Sequence, residues 1–421
     1  MTKRRPSVVF FNRVYPPMRG ASGRVLRDLA RAFAEKGWQV TIVATGPKAR
    51  REYDGSIRVV RVKASPKGRS SFSHFSLWLK MFWSGLNVPR HDLVVSMSDP
   101  HLLIVACRFV SFLKRSSHIH WCQDLYPDIL PALGIHIPRG RVNLFRKLTR
   151  AAMKKCDKVV TIGRCMAKKL THGGITPNKV AVIPNWPDYE LLSAENYARM
   201  KNHPVRQVDR AKGARPFDQL FRDGEERKFR VLYSGNLGRA HPVETVLQAA
   251  IILNKDHPEI EFVFVGDGPN FEKLAHERAR HGLDNIRLMP YQPATRLREL
   301  MESGDLHLIT MKHESAGMLV PCKLYAALAV NRPCVLVGPE DCETAEIIRD
   351  FKAGSIVPQY KPEQLASEIK KYRLDSEAWF AAHKGAADAG QVFVPEQSYE
   401  AWLKRANDVI NDNGKNKRRR A

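Results

Sequence analysis

Two loops of this sequence combine glycine with lysine or arginine in patterns suited to an anionic ligand. In GMLVPCKLY, Pro321 fits the first turn of a helix, the N–H groups that follow lack intrahelical partners, and Lys323 adds a full positive charge beside them. A phosphate or diphosphate is what such an entrance attracts, and Gly317 lets the backbone approach it closely. Taken alone, this segment favours the plainer reading of a helix start with a solvated lysine. The balance shifts with SGNLGRAHP, where Gly235 and Gly238 flank Asn236, Arg239 supplies a second phosphate donor, and Ser234 and His241 bracket the turn.

The first half carries two further candidates. YPPMRGASGRVLRDLARAF places Gly20 and Gly23 around a helix start directly after a strand, a geometry shared by anion sites and by tight turns with close helix packing. HIHWCQDLYPDILPALG puts Gln123, Asp124 and Asp128 just beyond a buried strand, where they could orient a substrate hydroxyl or act on a proton; Asp124 serves equally well as a helix cap. No D-x-D pair occurs, so no essential metal and no cofactor is expected.

These loops need a scaffold, and the patterning supplies one. Short apolar runs (SVVFF, QVTIVAT, IRVVRV, LVVSMS, HIHWC, KVVTIG, KVAVIPN) alternate with helical patterns through the first half. The alternation restarts at RVLYSGN and runs through EFVFVGDG, IRLMPY, LHLITM, PCVLVG and SIVP. Strands that are apolar throughout imply parallel sheets covered on both faces, hence an α/β chain with two doubly wound Rossmann-like domains in series. The expected boundaries are 1–185 for the first domain, 186–229 for a charged linker and insertion, 230–394 for the second domain, 395–412 for a closing helix and 413–421 for a disordered basic tail. Ligands of such sheets bind beyond the strands' carboxyl ends, so loops such as Gly266–Pro269 face a cleft between the domains.

The chain has 421 residues and a formal charge of +26, from 69 Lys+Arg against 43 Asp+Glu, so its surface attracts polyanions. The seven cysteines form no C-x-x-C pair and no metal-ligand spacing, which fits reduced thiols in a cytoplasmic protein. The apolar run near the N-terminus is too short for a signal sequence, and no stretch has the length of a membrane span. From Val142 to Lys158 an apolar stripe (Phe145, Leu148, Ala152, Cys156) opposes Lys147, Arg150, Lys154 and Lys158, a face able to sit on anionic lipid headgroups. No nucleic-acid-binding module is recognisable, so specific nucleic acid is not an expected partner.

Taken together, these segments resemble the GT-B glycosyltransferases, specifically glycosyltransferase family 4, from about Val8 to Leu403, and within it the bacterial branch making colanic-acid or O-antigen type surface polysaccharides. The resemblance rests on YPPMRGASGRVLRDLARAFAEKGWQVTIVAT, HWCQDLYPDI, CDKVVTIGRCMAKKL, VLYSGNLGRAHPVETVLQAA, FVFVGDGP and PCKLYAALAVNRPCVLVGPEDCETAEII. It implies sugar transfer from a nucleotide-sugar, UDP-linked by expectation and with retention of configuration, onto a lipid-linked or nascent glycan at the inner face of the cell membrane. The implied donor site is Gly20, Gly23, Ser234, Gly235, Asn236, His241, Gly266, Gly317, Met318, Lys323 and Tyr325, with Asp124, Gln123, Lys323 and Arg239 as the catalytic set. One departure is clear: Ala326 stands where the family often has a ribose-binding glutamate, leaving Glu343 or Glu346 to take that role. Asn236 and His241 likewise stand where Arg and Lys are common, with Arg239 available to compensate. The competing readings are a nucleotide-sugar epimerase or hydrolase on the same fold, and a basic nucleic-acid-binding protein.

Overall fold

In the computed structural model, residues 4–64, 71–135, 137–192 and 228–418 are described. The first unit runs β1 (Ser7–Phe11), α1 (Ala21–Glu35), β2 (Gln39–Gly46), β3 (Arg50–Asp54), β4 (Ile57–Lys63), α2 (Ser71–Asn87), β5 (Leu93–Met97), α3 (Leu103–Leu113), β6 (Ser117–Cys122), α4 (Arg139–Lys155), β7 (Lys158–Thr161), α5 (Arg164–His172) and β8 (Val180–Val182). Its sheet has the order β3-β4-β2-β1-β5-β6-β7-β8, parallel except for the antiparallel edge strand β3. The polar run RREYD that forms β3 carries no apolar pattern and is not anticipated by the sequence reading.

The second unit runs β9 (Phe229–Ser234), α6 (Glu244–Asp256), β10 (Ile260–Val265), α7 (Pro269–His281), β11 (Ile286–Met289), α8 (Leu297–Ser303), β12 (Leu306–Thr310), α9 (Lys323–Ala329), β13 (Cys334–Val337), α10 (Glu343–Phe351), β14 (Gly354–Val357), α11 (Pro362–Leu374) and α12 (Ser376–Val392). All six strands are parallel in the order β11-β10-β9-β12-β13-β14, the doubly wound arrangement with its switch point between β9 and β12. In the first sheet the corresponding reversal falls between β1 and β5.

Strand β1 shows why the apolar runs are continuous. Val8 and Phe10 enter one core, Val9 and Phe11 the other, so every residue of the strand is buried. Helix α1 covers one face with Val25, Leu26, Leu29, Ala30 and Phe33, spaced three and four apart. Each fully buried large side chain of this kind is worth roughly 1.5–3 kcal/mol.

The chain ends differently from the expected order. The final helix α13 (Pro395–Arg418) continues six residues past the expected boundary at 412, and it returns to the first unit rather than staying with the second. Trp402 packs 4.9 Å from Trp121 between ring centroids, and Tyr399 lies 5.1 Å from Trp186. Asn413, expected in a disordered tail, donates to Ser117 Oγ at 2.8 Å and Asp157 Oδ1 at 3.0 Å. The expected insertion lies largely outside the described residues, which stop at 192 and resume at 228. No helix among the described residues is long and apolar enough to cross a membrane.

Candidate active site

At the carboxyl edge of the first sheet, loops after β1, β2, β4, β5 and β6 enclose a cavity of about 870 Å³, closed on one side by α2. Ser98 anchors its floor by accepting the backbone N–H of Gln123 at 2.9 Å and of Asp124 at 3.2 Å. Asp124 lines the cavity, and its carboxylate has no hydrogen-bond partner among the described residues. Burial, reinforced by the nearby negative charge of Asp99, raises its pKa to about 7. Asp99 differs: its carboxylate is held by Arg13 Nε at 2.8 Å. Two cations, Lys63 and Lys80, stand at the same cavity.

Gln123, expected to orient a substrate, has another occupation. Its amide exchanges hydrogen bonds with that of Asn185, Nε2 to Oδ1 at 3.0 Å and Oε1 from Nδ2 at 2.8 Å, so it ties the β6 loop to the end of the first unit. Asp128 is likewise engaged, by Arg146 at 2.7 Å. The loop that opens α1 is held by Arg61, which is buried in β4, pairs with Glu52 and donates to the carbonyls of Tyr15 and Thr45. A Cβ on Gly20 or Gly23 would sit 2.9 Å from the Val14 side chain, so close packing is what requires both glycines. Gly23 is buried, whereas Gly20 is exposed at the start of α1.

The second sheet presents a cationic edge. The loops after β9 and β10 lock together through glycines: Gly266 has φ 151°, and a Cβ there would lie 2.2 Å from the Gly235 carbonyl oxygen. Gly235 N–H donates to Val265 O at 2.8 Å, and Leu237 N–H to Asp267 O at 2.7 Å. Against this platform lies Lys323, with Nζ 4.7 Å from the Tyr233 ring centroid and 3.4 Å from the Asn236 carbonyl. No carboxylate pairs with it among the described residues, and burial lowers its pKa. His241 Nδ1–H donates to Thr310 O, 2.6 Å away, and burial together with the Lys323 charge pushes its pKa down to about 3. It is neutral at physiological pH, so Lys323 is the charged group of this platform. Arg239 is exposed on the same loop with no ion-pair partner among the described residues.

The Gly-Met-Leu-Val-Pro entrance to α9, expected to cradle a phosphate, docks on the first unit through its carbonyls. Met318 O accepts Leu125 N–H at 2.7 Å, Ala316 O accepts Lys169 Nζ at 3.2 Å, and a Cβ on Gly317 would meet Cys165 O at 3.2 Å. Helix α9 has only seven residues, so its dipole is a minor contribution beside the charge on Lys323 itself. Tyr325 is fully buried against Phe393, 5.5 Å between centroids, and belongs to the core rather than to a donor site. Glu343 and Glu346 do not face a ribose site either: both pair with Arg164 of α5 at 3.0 Å, and Glu346 also pairs with Lys168. The Leu125–Met318 bond joins the loop carrying Asp124 to the loop leading to Lys323, so the two sheet edges meet across the cleft. Arg19, missed in the sequence, stands across that cleft, 6.0 Å from the Tyr291 ring centroid. Among the described residues no group of three His, Cys, Asp or Glu side chains could hold a metal ion.

Two doubly wound sheets whose carboxyl edges face each other define a GT-B glycosyltransferase fold. The sequence agrees: residues 20–186 match the glycosyl transferase 4-like domain and residues 218–379 match the glycosyl transferases group 1 model. The chain is a glycosyltransferase whose two units carry these two glycosyl transferase domains. It is 29% identical to the colanic acid biosynthesis glycosyl transferase WcaI of Escherichia coli over 72% of this chain and 70% of that protein. It is 23% identical to the glycosyltransferase WbjE of Pseudomonas aeruginosa over 66% of each. Among solved structures, Anabaena HepE in complex with UDP superposes with a TM-score of 0.68 at 16% identity, covering 96% of this chain and 100% of that one. WaaG, a glycosyltransferase of lipopolysaccharide biosynthesis, gives 0.68 at 16% identity over 96% of this chain and 99% of that one.

Proposed function

We propose that the protein transfers a sugar from a UDP-linked donor to a lipid-linked or nascent glycan in bacterial surface-polysaccharide assembly, with retention of anomeric configuration, at the cytoplasmic face of the cell membrane. The observation that carries the reading is a pair of uncompensated charges on facing sheet edges. Among the described residues Lys323 is a half-buried cation without a carboxylate, and Asp124 is a half-buried carboxylate without a donor that opens into the large cavity of the first unit. The donor's diphosphate would neutralise the first and the acceptor hydroxyl would bond to the second.

The relatives support each half of this reading. WcaI is described as acting in colanic acid biosynthesis, and HepE was solved with UDP and with UDP-glucose. Lys63 and Lys80 at the cavity suit the phosphate of a lipid-linked acceptor. In this mechanism Lys323 and Arg239 stabilise the departing nucleoside diphosphate as charge develops on the sugar ring. These cations supply charge that a metal would otherwise bring, so no metal is required. Contact between the sheet edges excludes water and favours transfer over hydrolysis. An epimerase needs no second substrate, so the cavity in the first unit favours a transferase over that alternative.

The test is a thermal-shift series with UDP, GDP, ADP and their sugar conjugates, on wild type and Lys323→Ala, in buffer with EDTA. A ligand bound by the folded state raises the midpoint by mass action. A rise with uridine nucleotides alone, reduced in the variant, is expected. A rise of equal size in Lys323→Ala would remove the proposed diphosphate site, and NMR of the product's anomeric proton would decide retention.

A further inference from the structure

One wall of the cavity that holds Asp124 is made of two aromatic rings. His101, from the loop after β5, lies 4.0 Å between ring centroids from Tyr126, from the loop after β6, with the ring planes 39° apart. Both residues line the cavity, beside the apolar Met18, Met97 and Pro100. The loop that carries His101 is built to hold its position. Leu102 adopts φ 62° and ψ 8°, a left-handed conformation that a leucine keeps only where its surroundings fix it. Its carbonyl accepts Trp78 Nε1–H at 2.9 Å, and the Trp78 ring is itself stacked with Phe75 and Phe82 on α2. Arg13 fastens the other end: its N–H donates to Asp99 O at 2.8 Å, and its side chain pairs with the Asp99 carboxylate.

The chemistry and place of this wall identify what it fits. An aromatic face carries partial negative charge and the C–H groups on one face of a pyranose carry partial positive charge, so a sugar ring lies flat on aromatic rings while its hydroxyls reach polar groups at the side. Asp124 is the polar group in place. Tyr126 N–H donates to Asp124 O at 3.1 Å, which fixes the ring close in sequence and space to the carboxylate. Burial, together with the charges of Asp124 and Asp99, raises the Tyr126 pKa, so the phenol stays neutral beside them. Leu125, between the two residues, bonds to Met318 of the second unit, so the wall stands where the two units meet.

We propose that His101 and Tyr126 form a stacking platform for the terminal pyranose of the acceptor, which lays its C–H face on the two rings and turns a ring hydroxyl toward Asp124. The platform selects a sugar by its C–H face, and Asp124 selects the hydroxyl beside it. Leu102 and its bond to Trp78 act as the brace that keeps His101 in register with Tyr126. That this sugar is the acceptor rests on the glycosyl-transfer reading; its stacking on the two rings does not.

Saturation-transfer NMR on the full chain with methyl β-D-glucoside, methyl β-D-galactoside, methyl α-D-mannoside and methyl N-acetyl-β-D-glucosaminide tests it. In wild type at least one glycoside should receive saturation mainly on the C–H protons of one ring face. His101→Ala and Tyr126→Leu should each weaken its binding by roughly two- to tenfold, the value of one stacking contact. His101→Phe keeps an aromatic face without ring nitrogens and should stay within about twofold of wild type, whereas His101→Asn should fall as His101→Ala does. All four variants should keep the wild-type melting midpoint and its shift with UDP, because neither residue lies on the donor loops. Binding kept in His101→Asn but lost in His101→Phe would make the contact a hydrogen bond and overturn the proposal. Saturation of none of the glycosides would overturn it too, as would equal binding by wild type, His101→Ala and Tyr126→Leu. A shift with UDP but no glycoside binding would remove the platform and leave the transfer reading; glycoside binding without any nucleotide shift would do the reverse.

Discussion

The two sheet edges are built by the same topology yet prepared for opposite charges. In the first unit the loops after β5 and β6 carry carboxylates around an open cavity, and Arg13 pairs with Asp99 while Asp124 has no such partner among the described residues. In the second unit the loops after β9 and β10 are packed glycine against glycine, and the charge presented is the lysine at the start of α9. One edge has room and an acidic group; the other has a rigid, closely packed floor and a cation. On the proposed reading this difference places the acceptor in the first unit and the diphosphate of the donor in the second.

The sharpest way to break that division is Asp124→Asn. If Asp124 acts on the acceptor alone, transfer should fall about 10²–10⁴-fold while the thermal shift with UDP is unchanged. A loss of nucleotide binding in this variant would mean that the two edges form a single site. Lys323→Ala is the complementary test: losing one charge-assisted contact should weaken donor binding by roughly ten- to a hundredfold in calorimetry. Gly266→Ala should follow at about 1–3 kcal/mol of stability, read as a lowered denaturation midpoint, since a Cβ would strike the Gly235 carbonyl at a positive φ.

The pH dependence sharpens the comparison further. Asp124 must be ionised to take up a hydroxyl proton, so transfer should rise with pH through about 7, and Asp124→Asn should flatten that profile. Stability runs the other way. A carboxyl whose folded pKa is raised contributes fully below its unfolded pKa and loses that contribution as pH rises through about 7. Asp124→Asn should therefore melt higher than wild type at pH 8 and match it at low pH. The smallest effect is expected from Lys168→Ala, whose pair with Glu346 lies at the surface on the lysine side. Its cost should stay near 1 kcal/mol or below in denaturant titration, because solvent screens such pairs.

Local patterning made most of the fold legible. Continuous apolar runs separated by helical stripes identify parallel strands and crossover helices without any knowledge of neighbours, because both periodicities are properties of a single segment. The polar edge strand β3 escaped that logic, since an edge strand buries little. The candidate site was legible only as a set of loops. Lys323, Arg239 and Asp124 were identifiable from residue type and position after a strand, but Tyr325 and Gln123 look equally polar in sequence and turned out to be a core residue and half of an amide pair.

The sequence by itself determined the two α/β units, the position of the glycine-bearing loops and the strongly basic surface. Tertiary structure decided which polar groups remain unpaired. Gly317 and Met318 are committed to the first unit by contacts with Cys165 and Leu125, some 150 to 200 residues away in the chain. The raised pKa of Asp124 depends on burial and on Asp99 from a different strand end, and the return of α13 depends on Trp121 lying where Trp402 can reach it. Each of these is a relation between distant segments. A periodicity confined to one segment carries no record of which neighbour will face it.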